Sequence, residues 1–169
     1  MNRMKKRGQI NLSFGMIFSI ILIVVFIAFA FYAIGKFLDI QKSATTGQFI
    51  QALETDVNKM WKSSQGSQET EYSLPTSVDS ICFTDFESAV NPQSRKALYD
   101  EFRFVYFEDE NMFFYPIGSS GGVESTKIDN VDIIGITNNE NPYCITAANG
   151  KIKLTIKKAL DETLVTITR

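Results

Sequence analysis

One uncharged apolar run near the N-terminus constrains this chain more than any other feature. No charged residue occurs from Gln9 to Gly35, and the stretch from Ile20 to Phe31 is wholly apolar. At a helical rise of about 1.5 Å per residue, residues 10–34 would extend about 37 Å, longer than the ~30 Å hydrocarbon core of a bilayer. The run therefore predicts a transmembrane helix over residues 9–35.

The charges on either side of this run set the orientation that we expect. Basic residues precede it, whereas the downstream flank mixes both signs. Because positively charged flanks stay in the cytoplasm, the N-terminus should be cytoplasmic and the C-terminal domain extracytoplasmic. We therefore expect a single-pass protein of the cell membrane, surrounded by membrane lipid. The upstream basic residues are Arg3, Lys5, Lys6 and Arg7, and the nearest downstream charges are Lys36, Asp39 and Lys42.

The remaining charges argue against several classes of function. Four of the 17 basic residues precede the run, so 13 basic residues face all 19 acidic residues after it, a net charge of −6. Such a domain is a poor partner for nucleic acid, because phosphates are contacted by Lys and Arg. The chain has no histidine, which is the commonest general base and a frequent zinc ligand. We predict no nucleic-acid partner, no enzyme activity, no metal and no cofactor.

Three fates are open for an apolar segment in this position. Cleavage as an ordinary secretory signal is disfavoured, because the stretch before Ala28-Phe29-Ala30 exceeds the usual apolar core of roughly 7–15 residues. An uncleaved signal anchor accounts for the length, the charges and the orientation. The third fate is processing on the cytoplasmic side of the run, which depends on the residues immediately before it.

Those residues carry a family resemblance. The segment Lys5–Phe14, KKRGQINLSF, resembles the class III signal sequence of archaeal type IV pilin-like proteins. The resemblance implies that a prepilin-type peptidase cuts between Gly8 and Gln9 and removes residues 1–8 as a basic leader. The apolar helix would remain on the mature protein as its assembly helix, with other pilin-like subunits as partners. The resemblance also implies a long N-terminal helix half-buried in a β-rich domain.

The mature N-terminal region departs from this family at one position. Ser13 stands at the fifth mature position, where many relatives carry a glutamate that engages the N-terminus of a neighbouring subunit. Packing by small residues would then carry more of any self-association, since helices in lipid gain no hydrophobic energy from meeting. Ser13, Gly15 and Ser19 are the candidate packing residues, and Gly15 and Ser19 share a helix face because they are four apart. Small residues are also ordinary in membrane helices, which is the alternative interpretation.

The helical pattern continues beyond the apolar run. Apolar residues at three- and four-residue intervals predict an amphipathic extension over residues 36–62. Gly47 weakens its middle, so a kink or two separate helices is the alternative to one helix of about 50 residues. Residues 63–71, which contain Ser63-Ser64-Gln65-Gly66-Ser67, are predicted to be a flexible linker. The apolar stripe consists of Phe49, Ile50, Leu53, Val57, Met60 and Trp61.

Residues 72–169 are predicted to form an extracytoplasmic β-rich domain. Asn91 and Pro92 predict the cap and first position of a short helix, and Asn149-Gly150 predicts a hairpin turn. The predicted fold class is α+β: a long N-terminal transmembrane and amphipathic helix with a C-terminal antiparallel β-rich domain, as in pilins. Runs rich in β-branched and aromatic residues predict strands at Val78–Phe83, Phe102–Phe107 and Met112–Ile117 (these two as a hairpin), Val131–Thr137, Tyr143–Thr146, Lys151–Lys157 and Leu164–Thr168.

The only two cysteines, Cys82 and Cys144, each lie in a predicted strand. In a domain outside the membrane, two cysteines most often form a disulfide bond. Two buried free thiols are the alternative, and a catalytic cysteine is disfavoured because no histidine exists to activate it.

Three further segments have both a functional and a structural interpretation. The acidic run Glu108-Asp109-Glu110, with Asp129 and Asp132, could bind calcium, but it lacks a spaced ligand loop and fits a solvated hairpin tip better. Gly118–Gly122 has the glycines of a phosphate loop without the Gly-Lys-Ser/Thr that should follow, which favours a mobile surface loop. The aromatic residues of 102–106 and 113–115 fit core packing better than a ligand-binding face.

Two functions from different classes follow. The first is a processed, pilin-like surface subunit that polymerises through the helix of residues 9–35. The second is an uncleaved single-pass anchor that displays a monomeric extracytoplasmic binding domain. Neither assigns a catalytic residue.

Overall fold

The computed structural model of the chain describes residues 14–169. Within that range the fold is α+β, which confirms the predicted class of a long N-terminal apolar helix followed by an antiparallel β domain. A 3-10 turn at Gln93–Arg95 precedes the second helix. In chain order the elements are α1 (Phe14–Trp61), β1 (Gly66–Ser73), β2 (Ser80–Phe83), α2 (Lys96–Val105), β3 (Met112–Tyr115), β4 (Ser125–Thr126), α3 (Ile133–Thr137), β5 (Tyr143–Thr146), β6 (Lys151–Lys158) and β7 (Thr166–Thr168).

The chain divides into two compact units after Leu38. In the first unit, every described residue of α1 is exposed. The helix is long and apolar enough to cross a membrane. The transmembrane-capable segment is therefore confirmed as far as it is described, and residues 9–13 of the predicted span lie outside the described residues.

The second unit is organised around the amphipathic part of α1. The predicted extension is confirmed, and α1 continues through Gly47 without a break. The alternative of two separate helices is therefore wrong. The predicted apolar face of α1 is confirmed except at Trp61, which is 39% exposed because it lies at the end of the helix, and Ile50 is only half-buried. The buried residues of α1 recur at three- and four-residue intervals and are Thr46, Phe49, Leu53, Val57 and Met60.

Two antiparallel sheets pack with this helical face. Three strands pair in the order β1-β6-β7 and four in the order β4-β3-β2-β5. One hydrophobic cluster joins the buried face of α1 to both sheets. Its fully buried members include Leu53, Ile81, Phe114, Leu154 and Ile156. A second cluster, of Cys82, Phe102 and Phe113, fills the space between β2, β3 and α2.

The Lys158 side chain of β6 and the backbone of the following loop contact the C-terminal end of α1. The Lys158 ammonium donates to the carbonyl oxygens of Trp61 at 2.5 Å and Ser63 at 3.0 Å. The Trp61 indole N–H donates to the carbonyl oxygen of Thr163 at 3.1 Å. A lysine at this position satisfies carbonyls that the helix leaves without partners, and it also favours the negative end of the helix dipole.

The predicted turn at Asn149-Gly150 is confirmed, but it joins two different sheets. Both residues have positive φ angles, 53° and 72°, and Ala148 and Lys151 exchange backbone hydrogen bonds across the turn. Beyond it, β5 pairs with β2 and β6 pairs with β1 and β7. Strands predicted within 78–83, 112–117, 143–146, 151–157 and 164–168 are also confirmed, several with shorter bounds.

The prediction of a flexible linker over residues 63–71 is largely wrong, because β1 begins at Gly66. This strand pairs with β6 along its whole length, from Gly66 opposite Lys158 to Ser73 opposite Lys151. Its residues have too little apolar alternation to predict a strand. Backbone pairing with the strongly patterned β6 decides their conformation.

The strand predicted at Phe102–Phe107 is also wrong, since its first four residues lie in α2. Tyr99 and Phe102 are both buried and lie three residues apart, which is a helical spacing. The many aromatic residues of this segment favoured a strand instead and hid that spacing. The predicted hairpin is replaced by pairing of β3 with β2 and β4. Asn91 is not the cap, because Pro92 itself flanks the 3-10 turn with extended backbone angles.

The strand predicted at Val131–Thr137 is replaced by the short helix α3. The Asp132 carboxylate accepts a hydrogen bond from the backbone N–H of Gly135 at 2.9 Å, which caps the helix. Only Val131 keeps a β-type contact, a parallel bridge to Val165. A capping aspartate thus overrides the β-branched composition of this segment.

The predicted disulfide between Cys82 and Cys144 is confirmed. The two residues lie directly opposite each other on the adjacent strands β2 and β5. Their bond closes a loop of 62 residues. It therefore links the β2 strand, which precedes α2, to the strand that follows α3.

The disulfide generates a testable prediction. An alkylating reagent should label neither cysteine of the full-length protein after denaturation without reduction, and both after reduction. Replacing both residues by alanine should lower the free energy of unfolding by about 4 kcal/mol, because the unfolded chain gains the entropy of the open loop. Mass spectrometry and denaturant titration measure the two outcomes. Labelling of both thiols by denaturation alone would contradict the bond.

Candidate functional site

The apolar part of α1 carries the predicted helix-packing residues. Gly15 and Ser19 are exposed on one face, and the Ser19 hydroxyl donates to the Gly15 carbonyl oxygen at 2.8 Å. The Ser19 hydroxyl therefore has a hydrogen-bond partner within its own helix. Ser19 would help a second helix to approach by its small size rather than by donating a hydrogen bond. Ser13, the third predicted packing residue, lies outside the described residues, as do Gly8 and Gln9 of the processing junction.

A loop of the β domain forms hydrogen bonds with α1 near the start of the second unit. We call residues 118–122 the glycine-serine loop. The Thr46 hydroxyl donates to the carbonyl oxygen of Ser120 at 2.8 Å, and the Ser43 hydroxyl donates to that of Gly121. Thr46 and Ser120 are fully buried. The prediction of a mobile surface loop was wrong at these residues, because their backbone packs against the helix.

Glycine at position 121 is required by this close approach. Its φ angle is +80°, and a β-carbon added there would lie 2.5 Å from the backbone nitrogen of Ser43. Gly118 and Gly122 also have positive φ angles, but a β-carbon at either would meet nothing within 4 Å. The run of small residues was the available signal for this helix-docking role, since small side chains let two backbones approach.

A second polar contact joins α1 to β1. The Tyr72 hydroxyl donates to the Asp56 carboxylate at 2.6 Å. Burial, reinforced by this hydrogen bond to a carboxylate, raises the pKa of Tyr72 well above its usual value. The Tyr72 ring also packs edge-on against Phe49 of the helix, with centroids 5.7 Å apart.

The acidic side chains considered for calcium have other partners. The Lys127 ammonium lies 3.4 Å from the Asp109 carboxylate and 3.9 Å from that of Asp129. The Glu110 carboxylate accepts from the backbone N–H of Phe107 at 2.8 Å, and Asp132 caps α3. Within residues 14–169, no group of His, Cys, Asp or Glu is placed to hold a metal ion.

The aromatic residues divide into core and surface. Phe102 and Phe113 stack with centroids 4.9 Å apart and are fully buried, as is Phe114, so core packing is confirmed for them. Phe104 is 91% exposed and Phe107 is 81% exposed. These two side chains therefore take no part in the core.

An open cleft of about 490 Å³ lies beside β1 and β6. Glu71 and Lys151 line it and form an ion pair at 2.6 Å. The hydrogen bond from Lys151 lowers the pKa of the Glu71 carboxyl, and the same bond raises the pKa of the Lys151 ammonium. Both groups therefore stay charged and paired near neutral pH, which suits neither for proton transfer.

Comparison with known proteins does not place the chain in a family. No family model, no curated protein and no solved structure matches it significantly. The function must therefore be inferred from the residues and their geometry.

The glycine-serine loop yields a matched pair of variants. Gly121→Ala should lower the free energy of unfolding of the β domain by about 2–5 kcal/mol, from backbone strain plus the clash with Ser43. Gly122→Ala should cost only about 1–2 kcal/mol, since it is strained without a clash. Denaturant titration of the detergent-solubilised chain, followed by fluorescence of its single tryptophan, measures both. Equal losses would show that the loop does not dock on α1.

Proposed function

We propose that this chain is a membrane-anchored, pilin-like subunit of a type IV pilus-like surface structure. The proposal rests on the two different parts of the single helix α1. Its first part is apolar and exposed, and its second part supplies the central face of the β-domain core. A subunit that assembles through a lipid-embedded helix while displaying a folded domain needs one helix of this kind.

Charge and redox chemistry support the orientation. The basic leader favours a cytoplasmic N-terminus, and the β domain would then lie outside the cell membrane. The disulfide between Cys82 and Cys144 agrees with an oxidising compartment, since such bonds are rare in the cytosol. Both features hold for a processed subunit and for an uncleaved anchor, so they support the topology more than the processing.

The proposed partners follow from the same features. Membrane lipid would surround the apolar part of α1, and a prepilin-type peptidase would cut between Gly8 and Gln9. After cleavage, the helix would pack against other copies or other pilin-like subunits through Gly15, Ser19 and Ser13. A structural role is favoured over catalysis because the chain has no histidine and because Glu71 and Lys151 stay charged and bound to each other.

Processing at the junction is testable by its requirement for a small residue. Gly8→Leu should leave the leader attached, because a bulky side chain would not fit the small pocket expected at the cut site. Gly8→Ala is the matched control and should mature. Mass spectrometry of the protein recovered from native membranes distinguishes a chain that starts at Gln9 from an intact one. Normal maturation of Gly8→Leu would contradict prepilin-type processing at this junction, and an intact leader on the wild-type chain would leave the uncleaved anchor as the better interpretation.

Packing through the helix is testable with a cysteine reporter. The native cysteines are bonded to each other, so a Leu22→Cys variant adds one reactive thiol, seven residues after Gly15 and on the same helix face. Gly15→Leu with Ser19→Leu should reduce the yield of disulfide-linked dimers of this reporter in membranes about tenfold or more, because bulky side chains would keep the two helices apart. A tenfold loss corresponds to about 1.4 kcal/mol of association free energy.

The matched control is Ile17→Leu with Ile21→Leu. These residues are also four apart and lie on roughly the opposite side of the helix. Dimers should persist in the control, and membrane insertion should persist in both variants because leucine is fully apolar. Equal dimer yields in the two variants would exclude the Gly15–Ser19 face as an assembly surface.

A further inference from the structure

Two exposed apolar patches remain on the β domain, and neither contributes to the core. The acidic patch consists of Phe104 and Phe107 with the flanking Glu101 and Glu108. The basic patch consists of Trp61, Leu160 and Leu164 with the flanking Lys62, while the ammonium of the nearby Lys158 is bound to the carbonyl oxygens of Trp61 and Ser63. Phe104, Phe107 and Leu160 are 91%, 81% and 70% exposed, whereas Trp61 and Leu164 are 39% and 38% exposed. Exposed apolar clusters on a folded domain commonly mark interaction surfaces.

The acidic patch lies at the C-terminal end of α2. Residues 100–110 contain five acidic side chains and one basic side chain. Asp100 pairs with Lys96 at 3.1 Å, and Asp109 pairs with Lys127 at 3.4 Å. Among the described residues, Glu101 and Glu108 form no ion pair, so their charge is available to a partner.

The basic patch is built where the end of α1 meets the loop between β6 and β7. The hydrogen bonds from Trp61 to Thr163 and from Lys158 to Trp61 hold this loop against the helix end. Residues 59–62 and 157–164 together contain four basic and two acidic side chains. One of the two acids, Glu162, accepts from the backbone N–H of Ala159 at 2.9 Å, which engages it within the loop.

We propose that the acidic patch of one copy docks on the basic patch of a second copy of this chain. Each patch has an apolar centre, so contact would remove both from water. Their flanking charges are opposite in sign, which would orient the encounter and disfavour like-to-like pairing. The second copy is the favoured occupant because the same chain supplies both halves of the match.

This contact joins two different surfaces, so each docked pair leaves one patch of each kind free. Such heterologous contacts add further copies and form filaments unless the rotation closes a ring. The inference thus extends the proposed assembly role by naming a surface between outer domains. It does not require cleavage at Gly8 or packing of the apolar helix.

The experiment uses two full-length variants, each with one added thiol. Arg103→Cys places a thiol in the acidic patch and Asp161→Cys places one in the basic patch. Co-expressed in the same membranes with different tags, they should form a mixed disulfide dimer, whereas either alone should not. Lys153→Cys, on the exposed face of β6, is the control partner for Arg103→Cys and should not crosslink. Absence of the mixed dimer, or equal crosslinking of Arg103→Cys with itself, would overturn the proposal.

Charge reversal separates specific docking from chance collisions. Lys62→Glu in the Asp161→Cys chain should reduce the mixed dimer about tenfold, as should Glu101→Lys in the Arg103→Cys chain. The two reversals combined should restore it, because opposite charges again meet. Circular dichroism of each variant confirms that it is folded. Failure of the combined reversal to restore the dimer would overturn the pairing of these two patches.

The same assay distinguishes this contact from the proposed processing and helix packing. Repeated in the Gly8→Leu background and in the Gly15→Leu, Ser19→Leu background, the mixed dimer should form in both. A dimer that persists in both backgrounds would support the docking of β domains. Failure of the wild-type chain to be processed or to form helix crosslinks would contradict the pilin-type route without affecting this contact. Loss of the mixed dimer in both backgrounds would overturn the proposal that the β domains dock independently of processing and helix packing.

Discussion

The β domain depends on the burial of one helical face. Phe49, Leu53, Val57 and Met60 project from α1 into the cluster that both sheets share, and each buried side chain of this size contributes roughly 1.5–3 kcal/mol. In the described part of the chain the two sheets have no strand in common. Each sheet therefore completes its apolar face against the helix as well as against the other sheet.

Polar contacts fix the helix along this core and give partners to several of the polar groups that lie against it. Thr46 donates to the glycine-serine loop, Tyr72 donates to Asp56, and Lys158 satisfies carbonyls at the helix end. A buried donor or acceptor without a partner costs more than a typical hydrogen bond contributes. These contacts thus specify where the helix lies, while apolar burial supplies most of the driving force.

The function that we propose uses both parts of α1 for different purposes. The apolar part suits lipid and contact with neighbouring helices, where small residues and close packing matter. The amphipathic part gives the outer domain its core, and the ends of α1 and α2 present oppositely charged apolar patches. Assembly through the helix and assembly through the outer domain are separable, because they use different residues and different physical forces.

The sequence alone determined the features that depend on composition and short-range period. These were the apolar helix, the amphipathic face from Phe49 to Met60, the pairing of Cys82 with Cys144 and the Asn149-Gly150 turn. Only the tertiary structure decided that residues 66–71 pair with β6, that residues 102–105 are helical and that Gly121 docks on Ser43. In each of these places the local pattern was weak or ambiguous. For residues 66–71 and Gly121 the partner that fixed the backbone was distant in the chain, so its hydrogen bonds and contacts could not be read from neighbouring residues. For residues 102–105 the aromatic composition masked a local helical spacing.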